Sequence, residues 1–258
     1  MKKKAFLLAP AVALGLTAMA AAPAMADHAE GSYSTMLEEV NNSGASGEAW
    51  VDVNGSEATV TIKTSGLAET FKDGPYPHVQ HVHIGAQGTC PTMADDANGD
   101  GIISTPEGAP AYGSVGTTLS LKGGTGPAAA TDVTVAPSGG SYTYKRTFEL
   151  NEKTQDALAN GTAVAVVHGL NPANQPAAAT ETMSELAPEL PLAATAPALC
   201  GPLQMMPAGG ADTGVTSAGA SSAGNDASEF GMIALGGGLV AAAGAGYVVR
   251  RSVVAGRK

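Results

Sequence analysis

The chain is short of positive charge, of cysteine and of aromatic side chains. Only 13 of its 258 residues are Lys or Arg. Three of them open the chain and four close it, so the stretch 27–229 holds six against all 23 Asp and Glu, a net charge of −17. That balance excludes nucleic acid and anionic lipid as partners of the stretch, since both are held by basic patches. It suits a bound cation, or simply a solvated acidic surface. Catalytic signatures are missing too. There is no Ser-His-Asp arrangement and no Cys-His pair placed as a nucleophile. Gly123-Gly124-Thr125-Gly126 lacks the lysine of a phosphate cradle and reads as a turn. No repeat of fixed period occurs.

The two ends carry what the middle lacks. Lys2, Lys3 and Lys4 precede an apolar run, and Ala24-Met25-Ala26 is a small-x-small cleavage site, so 1–26 reads as a secretion signal. An uncleaved anchor is the other reading. Near the C-terminus, 230–249 is uncharged and, at about 1.5 Å per residue, crosses a hydrocarbon core of about 30 Å. Arg250 and Arg251 follow, and a basic tail, 250–258, stays in the cytoplasm. The expected topology is one span with the body outside. The two cysteines, Cys90 and Cys200, fall in that exported body, where one disulfide is the default and two free thiols the alternative.

Between the ends the composition changes once. Runs at 33–40, 47–53, 58–64, 78–84, 142–150 and 162–168 read as strands, and 154–160 as a short helix ended by Gly161. Asn42-Ser43-Gly44 and Asn54-Gly55-Ser56 are turn signals between strands. Several short strands at this spacing imply an all-β domain, a sandwich or Greek-key barrel, over 30–205. From Asn171 onward aromatic residues vanish until Phe230, and 206–229 is an Ala/Gly/Ser-rich linker that cannot bury a core. If Cys200 bridges Cys90, the segment around 190–203 returns to the domain as its last strand.

The first constellation with chemistry is histidine. The chain has five, and His78, His81 and His83 lie within six positions. On a strand His81 and His83 share one face, while His78 and Gln80 point the other way. Two imidazoles at this spacing make half of a copper or zinc site. The remaining candidates are His168 within the domain and His28 at the mature N-terminus. A polar surface strip is the other reading.

The second is Asp96-Ala97-Asn98-Gly99-Asp100-Gly101-Ile102-Ile103-Ser104-Thr105-Pro106-Glu107. It fills every ligand position of a twelve-residue calcium loop: Asp96, Asn98, Asp100, the Ile102 carbonyl, Ser104 and a closing Glu107. Pro106, Gly108 and Pro110 argue against the usual flanking helices, so the expectation is a structural calcium loop in a β domain. A solvated acidic turn is the alternative.

These residues resemble the exported bacterial CHRD-domain proteins, named after chordin, over roughly 30–205. The resemblance rests on His78-Val79-Gln80-His81-Val82-His83-Ile84-Gly85, Cys90-Pro91, the acidic loop with Gly108-Ala109-Pro110-Ala111-Tyr112-Gly113, Val166-Val167-His168-Gly169 and Ala198-Leu199-Cys200-Gly201. They also resemble, more distantly, Cu,Zn superoxide dismutase, a Greek-key β-sandwich. That likeness implies copper at His81, His83 and His168 and a Cys90–Cys200 bridge. His78 has no counterpart there and is a candidate fourth ligand. The pattern's bridging and zinc histidines are absent, because no histidine lies between His83 and His168. Its substrate-guiding arginine is absent too, since 193–199 holds no Arg or Lys. The reading that follows is a membrane-held, calcium-braced, metal-binding surface protein without catalysis. A copper-dependent dismutase-like oxidoreductase and an adhesion or matrix module are the alternatives.

Overall fold

A computed structural model describes residues 29–207. In chain order the elements are β1 (Gly31–Glu39), β2 (Ser46–Asn54), β3 (Glu57–Ser65), β4 (Thr70–Phe71), β5 (Gly74–Pro75), β6 (Gln80–Ile84), α1 (Thr105–Tyr112), β7 (Ser114–Thr118), β8 (Tyr142–Glu149), α2 (Glu152–Ala159), β9 (Val164–His168), α3 (Ala178–Glu181), α4 (Leu192–Thr195), β10 (Pro197–Pro202) and β11 (Gln204–Met205). The expected signal, the apolar span 230–249, its basic tail, most of the linker and His28 lie outside the described residues. No helix among the described residues is long and apolar enough to cross a membrane.

Nine strands form one sheet in the order β7-β6-β9-β10-β1-β2-β3-β8, with β11 also on β1, and β4-β5 make a separate ribbon. Every pairing is antiparallel. The β2–β3 hairpin turns on Gly55 and Ser56, with Asn54 opposite Glu57 and Gly55 at φ 60°. The sheet curls into a half-barrel. Side chains of β8 then reach the opposite edge. The Tyr142 hydroxyl donates to Gln80 Oε1 at 3.1 Å. The Arg146 guanidinium donates to Ser120 O, Ser120 Oγ and Gly123 O at 2.6–2.7 Å.

Strands β1 to β3 alternate buried and exposed positions, as sheets with one wet face do. Strands β6, β9 and β10 are buried almost throughout. The reason is a second layer. Val82, Ala165 and Val167 face the main core. On the opposite face Val164, Val166 and Cys200 pack with Val40, Ile103 and Tyr112 in a smaller cluster under the 85–113 segment. The Cys90–Cys200 disulfide fastens that segment, with Cα atoms 5.8 Å apart.

Three local expectations change. The strand expected from 78 begins at Gln80, because the Pro75-Tyr76-Pro77 stretch enters as an isolated bridge to Ser138. The strands β7 and β11 were not legible in the sequence, being short and of weak alternation. The prolines at the end of the acidic loop and beyond it, Pro106 and Pro110, do not prevent a helix. Pro106 sits at the second position of α1, where its missing N–H costs nothing.

Candidate metal centre

The register across β6 and β9 builds the centre. His81 lies opposite Val166 and His83 opposite Val164. His168, two residues beyond Val166, therefore shares their face and is the diagonal neighbour of His81. Their rings approach to centroid distances of 5.1 Å for His81–His168, 5.6 Å for His81–His83 and 5.8 Å for His83–His168. All three residues are buried, at 3%, 1% and 2% exposure.

One nitrogen of each ring is anchored by a different loop. His81 Nε2–H donates to Ala130 O at 3.0 Å, His83 Nδ1–H to Gly113 O at 2.9 Å, and His168 Nδ1–H to Thr195 O at 2.7 Å. A carbonyl can only accept, so each bond fixes the proton on that nitrogen. The opposite nitrogens, His81 Nδ1, His83 Nε2 and His168 Nε2, are buried and have no hydrogen-bond partner. One ring nitrogen of each of the three histidines lies within 4.8 Å of one from each of the other two. Two bonds of about 2.0–2.1 Å to one ion span at most about 4.2 Å, so capture from the 4.8 Å limit draws the rings together by about 0.6 Å or more. Three buried, aligned lone pairs with nothing to accept them fit a metal ion. An anchored second nitrogen on each ring is the support such ligands have.

Burial is the main force on their protonation. It lowers His83 to about 4 and His168 to about 3, the neighbouring His83 adding to the latter. Burial, then His168 and His83, hold His81 well below the ordinary value. All three are neutral imidazoles near neutral pH, the form a metal needs.

The structure does not bring His78 into this group. Its Nδ1 faces His168 O and its Nε2 faces Ala68 O, each at 2.9 Å, and its ring lies against Tyr76. With a carbonyl before each nitrogen, no lone pair is free to ligate. It braces the backbone that carries His168.

The acidic loop stands apart from the triad but connects to it through α1. Asp96 accepts from the N–H groups of Gly99 and Gly101, Asn98 from Asp100, and Asp100 from Ile102. Glu107 accepts from Ala97, Asn98 and Ser104 N–H, and with Ser104 forms the capping box of α1. Burial would raise the Glu107 carboxyl, but the bonds from Ser104, Asn98 and Ala97 outweigh it and hold the group below its usual value. Both Glu107 oxygens are thus engaged by backbone. Among the described residues the three histidines are the group whose ligand atoms converge. Helix α1 then supplies Tyr112, whose ring lies 4.5 Å from His83, and Thr105, whose hydroxyl is 3.4 Å from His168 Nδ1.

A cavity of 170 Å³ adjoins the histidines, walled by Phe71, Tyr76, Val79, Leu186 and Leu190 among others. Val79 apart, which falls in the expected strand on the face of His81 and His83, sequence reasoning did not find these wall residues. The others come from segments without periodicity, and only Pro75 and Pro77 hinted at an irregular path there.

No family model matches the chain, and no curated protein matches it. Among solved structures, a variant of Candida albicans superoxide dismutase 5 matches at TM-score 0.39 and 16% identity, covering 73% of this chain and 99% of that one.

Proposed function

We propose that this is an exported copper-binding protein of the chordin-domain type, held at a bacterial surface, with one copper ion on His81 Nδ1, His83 Nε2 and His168 Nε2. The observation that carries the reading is the set of three buried imidazole nitrogens without partners. The donors are all imidazole, both cysteines being in the disulfide. For such a site Cu(II) ranks above Zn(II) in affinity. The disulfide fits an oxidising compartment. When bound, copper supplies a one-electron couple and an open coordination position. The chain's own contribution is to hold three neutral imidazoles in fixed tautomers and to exclude water from them. The C-terminal span would keep the body at the membrane, and calcium in the 96–107 loop would brace α1 after displacing the N–H groups now on Glu107.

The test is elemental analysis of the full chain after exposure to equal copper, zinc and calcium and then desalting. About one copper per chain is expected, lost in the His81→Ala, His83→Ala double variant. Equal copper in that variant overturns the copper reading. Calcium is tested by melting: EDTA should lower Tm and calcium restore it, and no response to either removes the calcium loop.

A second reading, a dismutase-like oxidoreductase, is favoured by the pairing of His81 and His83 on one strand with His168 on its neighbour. It requires the copper-loaded chain to consume superoxide faster than free copper does. The net charge of the body opposes it, since an anionic substrate is repelled.

A further inference from the structure

The cavity beside the triad has no charged side chain among its lining residues other than the buried, neutral histidines. Leu186 and Val133, on separate loops, also line it while remaining 49% and 40% exposed. Apolar side chains left facing water at a concave site gain when a ligand covers them. The volume, 170 Å³, exceeds the roughly 150 Å³ of a dry apolar cavity that holds one benzene. In the metal-free chain an anion of the same size would lose its hydration there without a cationic partner.

We propose that this cavity is the binding site of a small uncharged molecule the size of one six-membered ring, seated beside the metal. The position beside the metal rests on the copper reading above; the cavity site does not. Such a ligand would meet Tyr76 and Phe71 with its ring and reach the histidine end with a single neutral donor such as a phenolic hydroxyl. In the metal-free chain the ligand preference is then the reverse of what a site for an oxygen anion requires: neutral before charged, apolar before small.

The test uses the full chain, metal-free and copper-loaded, and follows the 19F line width of 4-fluorophenol against 4-fluorobenzoate, with buffer and detergent as the blank. Saturable broadening of the phenol by the metal-free chain is expected, with none for the benzoate. Ala194→Phe fills the cavity and should abolish it. Leu186→Asp, on the exposed rim where folding is not at stake, should weaken it about tenfold or more. In the copper-loaded chain the bound phenol should broaden further by paramagnetic relaxation. If the chain retains no copper yet binds the phenol, the copper reading fails and the cavity site stands. If copper is retained and the bound phenol shows no added broadening, the placement beside the metal is overturned. In the metal-free chain, no saturable binding, equal binding of the benzoate, or binding unchanged in Leu186→Asp overturns the site itself.

Discussion

Gly113 gives its carbonyl oxygen to the Nδ1–H of His83, 2.9 Å away. The same residue ends α1 at φ 93°, in the region that favours glycine. A Cβ there would collide with the Ile84 carbonyl. Gly113→Ala should therefore misplace the bond that sets the His83 tautomer. We expect a loss of about 2 kcal/mol or more in stability and a clear drop in copper affinity. Denaturant midpoints and copper titration measure both, and a variant with unchanged affinity would detach this carbonyl from the site.

Acid should unfold the metal-free protein early. In the unfolded chain each triad histidine binds a proton near 6.5, while in the folded chain burial delays this to about 4 for His83 and about 3 for His168. The unfolded state holds more protons between these values, so stability falls as pH falls from about 6.5 towards 4. Each unit of difference is worth about 1.4 kcal/mol per histidine. Urea midpoints at several pH values should drop across this window. A flat profile would mean that the rings are not buried as described.

Glu107 caps α1 and spans the acidic loop. Replacing it with alanine should cost about 1–2 kcal/mol and weaken copper binding through Thr105 and Tyr112. Glu107→Gln keeps an accepting oxygen and should recover part of both losses. Equal behaviour of the two variants would show that the cap does not matter.

Arg146 links β8 to the turn after β7 through three acceptors. Arg146→Met removes the charge-assisted bonds and leaves Ser120 O and Gly123 O without them. A loss of about 1–3 kcal/mol is expected, with copper affinity unchanged because the triad lies on other strands. A shift in Tm without a shift in copper titration confirms the separation.

The strands with one wet face were legible in the sequence because alternation marks them, as in Ala58-Thr59-Val60-Thr61-Ile62. Those buried on both faces were harder. Val164-Ala165-Val166-Val167 shows no alternation, and its outer cover comes from a loop far away in sequence. The pair His81 and His83 follows from the two-residue period of a strand. That His168 completes the group does not, since only the register of β6 on β9 brings it beside them. The α1 helix was hidden by reading Pro106 and Pro110 as breakers, when the first of them lies where a helix tolerates proline.

The disulfide also bears on the order in which the molecule matures. Cys200 sits on β10, beside the strand that carries His168, and Cys90 lies in the segment that ends at the carbonyl orienting His83. Until the two sulfurs join, that segment is held by packing and by hydrogen bonds such as those between Asn41 and Ile103 and from Thr105 to Thr195 O. On the copper reading proposed above, closing the bridge would firm the segment before metal capture. A chain still inside a reducing cytoplasm would then hold the His83 ring less firmly, weighting the choice of metal towards the compartment in which the bridge is made.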